Sequence, residues 1–243
     1  MDLQLTGKTA LISGSSKGIG LSIAKYLHKE GCNVVLNGRH SIILKEISNS
    51  LGSRSSYFVA DMTKTIECTK LVKHTIKTFG NIDILVCNVG DGSSPKPGKE
   101  QISDWQKMLD INLNSSINLI NSSLSSLKKT SGSIVCISSI AGIETTDAPI
   151  PYSVAKSALN SYVKNISKPL ANFGIRINAV APGNILFKDS IWEKKLAKNK
   201  TKVLDMISKK VPMNRFGTSD EIASVVTFLS SPLSSFTTGN ILI

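Results

Sequence analysis

Three residues in one part of this chain combine what proton chemistry needs: a phenol, an ammonium and a hydroxyl. Tyr152 and Lys156 stand four apart in PIPYSVAKSALNSYVK. From Ser153 to Tyr162 this run holds no Pro or Gly and carries Ala155, Ala158 and Leu159, so the pattern predicts a helix. Positions i and i+4 share a helix face. An ammonium beside a phenol favours the phenolate and lowers a pKa that begins near ~10. A fall of about three units, equivalent to roughly 4 kcal/mol, would make the tyrosine a working acid or base. One lysine on a solvated face does not supply that much, so a cationic cofactor ring nearby is expected to help. Upstream, GSIVCISS is a short apolar run ending in hydroxyls, the pattern of a buried strand that delivers Ser139 at its carboxyl end to hold a substrate oxygen.

A Tyr-x-x-x-Lys pair alone also occurs on plain solvated helices, so the weight falls on its company. Lys8 to Ser13 reads as an apolar strand, Gly14-Ser-Ser-Lys-Gly18-Ile-Gly20 as a glycine turn, and LSIAKYLHKEG as a helix. Glycines let a backbone turn tightly against a pyrophosphate, which rests on a helix N-terminus among free N–H groups. Gly14, Ser16, Lys17, Gly18, Ile19 and Gly20 are therefore candidate dinucleotide contacts. The next strand, 33–37, ends in Gly38-Arg39, where an NAD site would carry an acid for the ribose 2′-hydroxyl. Arg39 and Lys17 instead offer positive charge for a 2′-phosphate, so NADP(H) is preferred and NAD(H) possible. Asp61, after a strand at 56–60, is placed to meet the adenine. Asn88 and Gly90 follow a strand at 82–87, and Pro182, Gly183 and Ile185 follow one at 174–180.

Helices expected near 41–51, 64–79, 103–127 and 219–230 alternate with these strands. The fold class this implies is α/β: a doubly wound parallel sheet of Rossmann type, one domain over 1–243. Asn112 and Asn114 fall in the middle of the 103–127 helix, where Asn is a poor interior residue. At 243 residues, 41% hydrophobic and 19% charged, the chain can bury a substantial core. No apolar stretch approaches the ~20 residues of a membrane span, and the N-terminus lacks a secretory layout, so a cytoplasmic location without membrane contact is expected. Cys32, Cys68, Cys87 and Cys136 have no metal-ligand spacing and read as reduced core residues, with no metal site. The net charge of +12 invites comparison with nucleic-acid binders, but no recognition motif accompanies it and only 5% of residues are aromatic. That leaves an anionic cofactor or substrate, or charge that merely keeps the surface soluble.

With these residues assembled, the chain resembles the short-chain dehydrogenase/reductase family along nearly its full length, in its single-domain branch similar to 3-oxoacyl carrier-protein reductases. The family tetrad falls on Asn112, Ser139, Tyr152 and Lys156, with Ser139 standing 13 residues before Tyr152 as the family spaces them. Its glycine motif falls on Gly14, Gly18 and Gly20, and its Asn-Ala-Gly element on Asn88-Val89-Gly90. The resemblance implies hydride transfer between nicotinamide C4 and a carbonyl or carbinol carbon. In that scheme Tyr152 exchanges the proton, Ser139 holds the substrate oxygen, Lys156 binds the nicotinamide ribose, and Asn112 positions a water. It also implies a homotetramer or homodimer packed through the helices near 103–127 and 152–171.

Phe187 departs from the family's pattern, and Phe173 from that of its carrier-protein reductases. Phe187 stands where a threonine commonly bonds the nicotinamide carboxamide, which shifts that contact to the Ile185 backbone. Phe173 stands where carrier-protein reductases often have a basic residue, although Lys128-Lys129 offers part of a carrier patch. A sugar or nucleotide-sugar oxidoreductase is the alternative, and a non-catalytic nucleotide-binding protein a further one. The segment 184–214 is expected to form a basic substrate lid. Between Lys188 and Lys210 eight lysines face three acids, giving +5, and Ile191-Trp192 is placed to pack over a small-molecule or carrier-bound substrate with a negative group.

Overall fold

The computed structural model describes residues 2–95 and 97–243. Seven strands lie side by side, all parallel: β1 (Thr9–Ile12), β2 (Asn33–Gly38), β3 (Ser55–Val59), β4 (Ile84–Cys87), β5 (Ser133–Ile137), β6 (Arg176–Val180) and, last in the chain, β9 (Ile241–Leu242). Their spatial order is β3-β2-β1-β4-β5-β6-β9. The order reverses between β1 and β4, where Ala10, Leu11 and Ile12 pair with Ile84, Leu85 and Val86. A crevice opens at the carboxyl ends of strands at such a reversal, because the flanking connections leave in opposite directions.

Every residue of β1, β4 and β5 is buried. That is why these strands read as continuous apolar runs rather than alternating ones. Successive side chains feed two separate cores. Leu11, Leu85, Ile134 and Ile177 point to one face and pack with α3 (Thr65–Phe79), α5 (Ser115–Thr130) and α6 (Ile150–Ala171). Ile12, Val34, Val86 and Val135 point to the other face and pack with α1 (Gly18–Lys29) and α9 (Ser219–Ser230), beside α2 (Ser41–Leu51). Each of these side chains is fully covered, so trimming one of the leucines or isoleucines to Ala costs about 2–5 kcal/mol.

The structure corrects the reading at three places. The helix expected over 103–127 is α4 (Ile102–Leu109), then a π-helical turn (Asp110–Asn114), then α5. A π turn widens the helix by one residue, and here it swings Asn112 inward to full burial. The sixth strand begins at Arg176 rather than Gly174, because Gly174 turns the chain with φ +71°. Ile241–Leu242 adds a seventh strand that pairs with Ala179 and Val180; two residues are too few to leave a periodic signal.

Between β6 and α9 lie β7 (Ile185–Leu186), α7 (Ile191–Lys198), α8 (Lys200–Lys210) and β8 (Gly217–Thr218), with β7 and β8 paired to each other. All four cysteines are buried and free. No helix among the described residues is long and apolar enough to cross a membrane.

Candidate active site

The chain leaves β5 through Ser139 and makes a short turn at Ile140–Gly142 that lies directly on α6. Gly142 is required there: a Cβ would fall 2.7 Å from the carbonyl carbon of Lys156 and 2.8 Å from the nitrogen of Ser157. The Gly142 carbonyl accepts from Ser157 Oγ at 2.8 Å and from Asn160 Nδ2 at 3.2 Å, which pins the turn to the helix. Ser139 is thereby set beside Tyr152, one residue before the turn begins. Sequence reasoning passed over Gly142, Ser157 and Asn160; an Asn on the inner face of an apolar helix was the available signal.

Lys156 is 3% exposed, and its ammonium donates to the carbonyl of Ile137 at 2.8 Å. Its Nζ stands 5.8 Å from the centroid of the Tyr152 ring. The expectation that lysine lowers the phenol's pKa is therefore not met by these residues alone. Burial pushes the Tyr152 phenol above its ordinary value; the Ser139 hydroxyl works against that rise and the Asp91 carboxylate adds to it. Burial also pulls Lys156 down to about 8. Shared helix face brought the two side chains close, but the ammonium turns toward a strand-end carbonyl, which it needs once water is excluded.

Asn112 is wholly buried and spends its amide on its neighbours. Nδ2 donates to the carbonyls of Asp91 at 2.8 Å and Met108 at 3.1 Å, and Oδ1 accepts from the Asp91 nitrogen at 3.1 Å. It clamps the loop after β4. Within that loop a Cβ on Gly90 would sit 3.1 Å from Asn112 Oδ1 and 3.2 Å from Lys156 Nζ, so this glycine lets the chain run against the ammonium.

On the other side of the crevice, the glycine turn connects β1 to α1. Gly14 and Gly18 have φ +63° and +55°, and a Cβ on Gly20 would lie 2.4 Å from Asn88 Nδ2 and 2.5 Å from the Gly14 carbonyl. Asn88 is the clasp: Nδ2 donates to Ser13 O at 3.1 Å and Gly14 O at 2.9 Å, and its nitrogen donates to Ser13 Oγ. Asn37 is a second clasp that the sequence reading missed. It is buried at the end of β2, accepts from Gly14 N, and donates to the carbonyls of Phe58 and Ala60. An Asn inside the run NVVLN was its signal.

These residues fit a dinucleotide. At the start of α1, Lys17 is extended and makes no side-chain cap, Ser16 precedes it, and the first turn, with Ile19, holds no acid, so the leading N–H groups favour an anion. Lys17 and Arg39 are exposed and form no ion pair among the described residues. Asp61 lies beside Arg39; burial raises its carboxyl, but the bonds from Thr63, with Lys64 and Arg39, outweigh that and hold it below the usual range.

Pro182 accepts from the nitrogen of Ile140, which ties the loop after β6 to the Ser139 turn, and Gly183 lies against the Ile140 side chain. Ile185 is buried in β7 against Gly217. Phe187 lies against the glycine turn instead: a Cβ on Gly18 would come within 2.6 Å of its ring. An aromatic ring thus borders the glycine turn.

The lysine-rich segment forms α7 and α8, and all eight of its lysines are exposed. The expected Ile191-Trp192 pair divides. Ile191 is turned outward, while Trp192 stacks on Phe216 at 5.5 Å with Lys195 Nζ 4.4 Å from its ring centroid. Lys210 reaches Asp147, in the loop before α6, at 2.6 Å, so one exposed ion pair links α8 to the rim of the Tyr152 site. Lys128 lies over the Phe173 ring at 3.8 Å, which occupies half of the Lys128-Lys129 pair.

A family model described as enoyl-(acyl carrier protein) reductase matches residues 14–243. The 3-oxoacyl-(acyl-carrier-protein) reductase FabG of Rickettsia prowazekii is 35% identical over 241 residues, covering 99% of this chain and 96% of that protein. The corresponding reductase of Rickettsia felis is 34% identical, covering 98% and 95%. Among solved structures, a 7α-hydroxysteroid dehydrogenase complexed with NADH and 7-oxoglycochenodeoxycholic acid superposes with a TM-score of 0.91 at 28% identity, covering 99% of this chain and 94% of the other.

Proposed function

Because the chain belongs to the short-chain dehydrogenase/reductase family and is an NAD(P)-dependent oxidoreductase, we propose that it reduces the carbonyl of a 3-oxoacyl substrate with NADP(H). The observation that carries this reading is the meeting of a phenol, a hydroxyl and a buried ammonium beside a glycine turn where the strand order reverses. A dinucleotide whose pyrophosphate rested on that turn would supply hydride from its nicotinamide to the carbonyl carbon. Ser139 holds the substrate oxygen and Tyr152 gives it a proton. A phenol whose pKa stands above its ordinary value of ~10 keeps that proton at neutral pH, which suits reduction. Lys156 holds the nicotinamide ribose, and its charge there favours release of the Tyr152 proton. Asn112 keeps the loop after β4 against both.

A panel of 3-oxoacyl thioesters, trans-2-enoyl thioesters and sugar nucleotides, followed by loss of the NADPH absorbance band, tests the assignment. The 3-oxoacyl compounds are expected to give the highest kcat/KM. The family model's description favours a second reading, reduction of the C=C bond, and a preference for the enoyl thioesters would establish that one instead. Failure of every carbonyl compound would overturn the proposal.

NADP(H) preference follows from Arg39 and Lys17. Gly38→Asp with Arg39→Ile is expected to shift the kcat/KM ratio toward NADH by at least ~10-fold, about 1.4 kcal/mol, since the new carboxylate repels phosphate and accepts from a 2′-hydroxyl. Gly38 has room, the nearest atoms to an added Cβ being those of Ser16 at 3.4 Å. A wild type that already prefers NADH contradicts the reading.

Residues 184–214 act as the substrate lid, and their charge selects a substrate with an anionic arm. Exposed charges are screened over a Debye length of ~10 Å at 0.1 M, so kcat/KM for a phosphopantetheine thioester is expected to fall steeply with salt. Lys194→Gln with Lys195→Gln and Lys198→Gln should flatten that slope and raise KM, leaving kcat nearly unchanged. A slope that the triple change leaves intact would assign the lysines to solubility alone.

A further inference from the structure

The carboxylate of Asp91 lies on the loop beside the proton-transfer residues. The loop after β4 runs Gly90-Asp91-Gly92: a Cβ on Gly90 would lie 3.2 Å from Lys156 Nζ, and the Cβ position of Gly92 is in ordinary contact with the Tyr152 ring at 3.9 Å. The backbone at Asp91 therefore passes from the ammonium to the phenol, and its carboxylate acts on the phenol. Its backbone is held on both sides by Asn112, whose Oδ1 accepts from its nitrogen and whose Nδ2 donates to its carbonyl. Its side chain is held as well, since Oδ1 accepts from Ser93 N at 2.9 Å. This construction fixes a negative charge that has little freedom to leave.

We propose that Asp91 is a positioning residue of the reaction, a fixed negative charge that sets the pH at which Tyr152 exchanges its proton. The inference rests on the reading of Tyr152 as the acid. A neighbouring negative charge makes the phenolate costlier, so Asp91 opposes Lys156 and keeps Tyr152 a donor to higher pH. The titratable groups that face Tyr152 are Asp91 from the loop and Lys156 from its own helix; Cys136, at the end of β5, faces Lys156 in turn. The loop thus carries two linked functions: Asn112 fixes Asp91, and Asp91 sets the phenol.

Asp91→Asn isolates the charge, because its side-chain oxygen still accepts from Ser93 and both backbone bonds to Asn112 remain. Two readouts are taken. One is the ultraviolet difference absorbance of tyrosinate with pH, with Tyr152→Phe subtracted in each background so that only Tyr152 is seen. The other is the pH profile of kcat/KM for NADPH-dependent reduction of ethyl acetoacetate. The Tyr152 titration and the alkaline limb of the profile are both expected to move down by roughly half a unit or more, the effect of removing one partly screened charge. Loss of turnover with an unmoved Tyr152 titration would show that Asp91 is merely structural and overturn the proposal. An unmoved titration in a protein whose Tyr152→Phe variant is inactive would overturn it while leaving the proposed function standing. A shifted titration in a protein that reduces no carbonyl would uphold the electrostatic pairing and remove the function instead.

Discussion

Tyr152→Phe lowers turnover at least ~10²-fold and leaves NADPH affinity near that of the wild type, the range general acid catalysis supplies. Phenylalanine keeps the ring, and with it the packing against Gly92 and the neighbourhood of Lys156. What goes is the one O–H placed to protonate a substrate oxygen beside Ser139. Because the ring and its packing stay in place, stability should change little, so kcat is the quantity that moves. Steady-state kinetics with a cofactor titration check it. A variant with unchanged kcat would move the acid to another group.

Gly20→Ala abolishes measurable dinucleotide affinity or weakens it at least ~10²-fold, and it lowers stability by about 1–3 kcal/mol. The added methyl meets a backbone carbonyl at 2.5 Å and the Asn88 amide at 2.4 Å, and neither is a free side-chain end. Asn88 cannot yield without releasing its bonds to Ser13 and Gly14, which hold the turn shut. Gly52→Ala is the control. Gly52 has φ +81° but nothing within 4 Å of its Cβ position, so it should lose about 1 kcal/mol of stability and no cofactor affinity. Calorimetric binding and thermal unfolding of both variants separate damage to the cradle from general strain.

Contiguous signals in the sequence made most of the fold and much of the site legible. The buried strands are unbroken apolar runs, the glycine turn sits between a strand and a helix, and Tyr152 and Lys156 are one helical repeat apart. Each of these depends on neighbours in the chain. What escaped depends on partners far away in sequence. Asn37 clasps Gly14 from another strand, and Asn112 gains its inward aim from a π turn that no spacing announces. Lys156 was placed on the correct face, yet the carbonyl of Ile137 claims its ammonium, 19 residues upstream. Trp192 was expected over substrate but finds Phe216. Phe187 was read as a lost contact, whereas folding gives it a new one against Gly18. Polar residues embedded in apolar runs were the recurring sign of such long-range clasps.

The central claim, reduction of a carbonyl at the Tyr152 site by a dinucleotide bound on the Gly14–Gly20 turn, is tested most directly by isotope transfer. NADPH carrying deuterium at both C4 positions of the nicotinamide is incubated with a 3-oxoacyl thioester, and the product is analysed by mass spectrometry and NMR. One deuterium bound to the carbinol carbon, with the oxygen-bound proton drawn from solvent, is the predicted result. Product without label, or label on a carbon that belonged to no carbonyl, would contradict it.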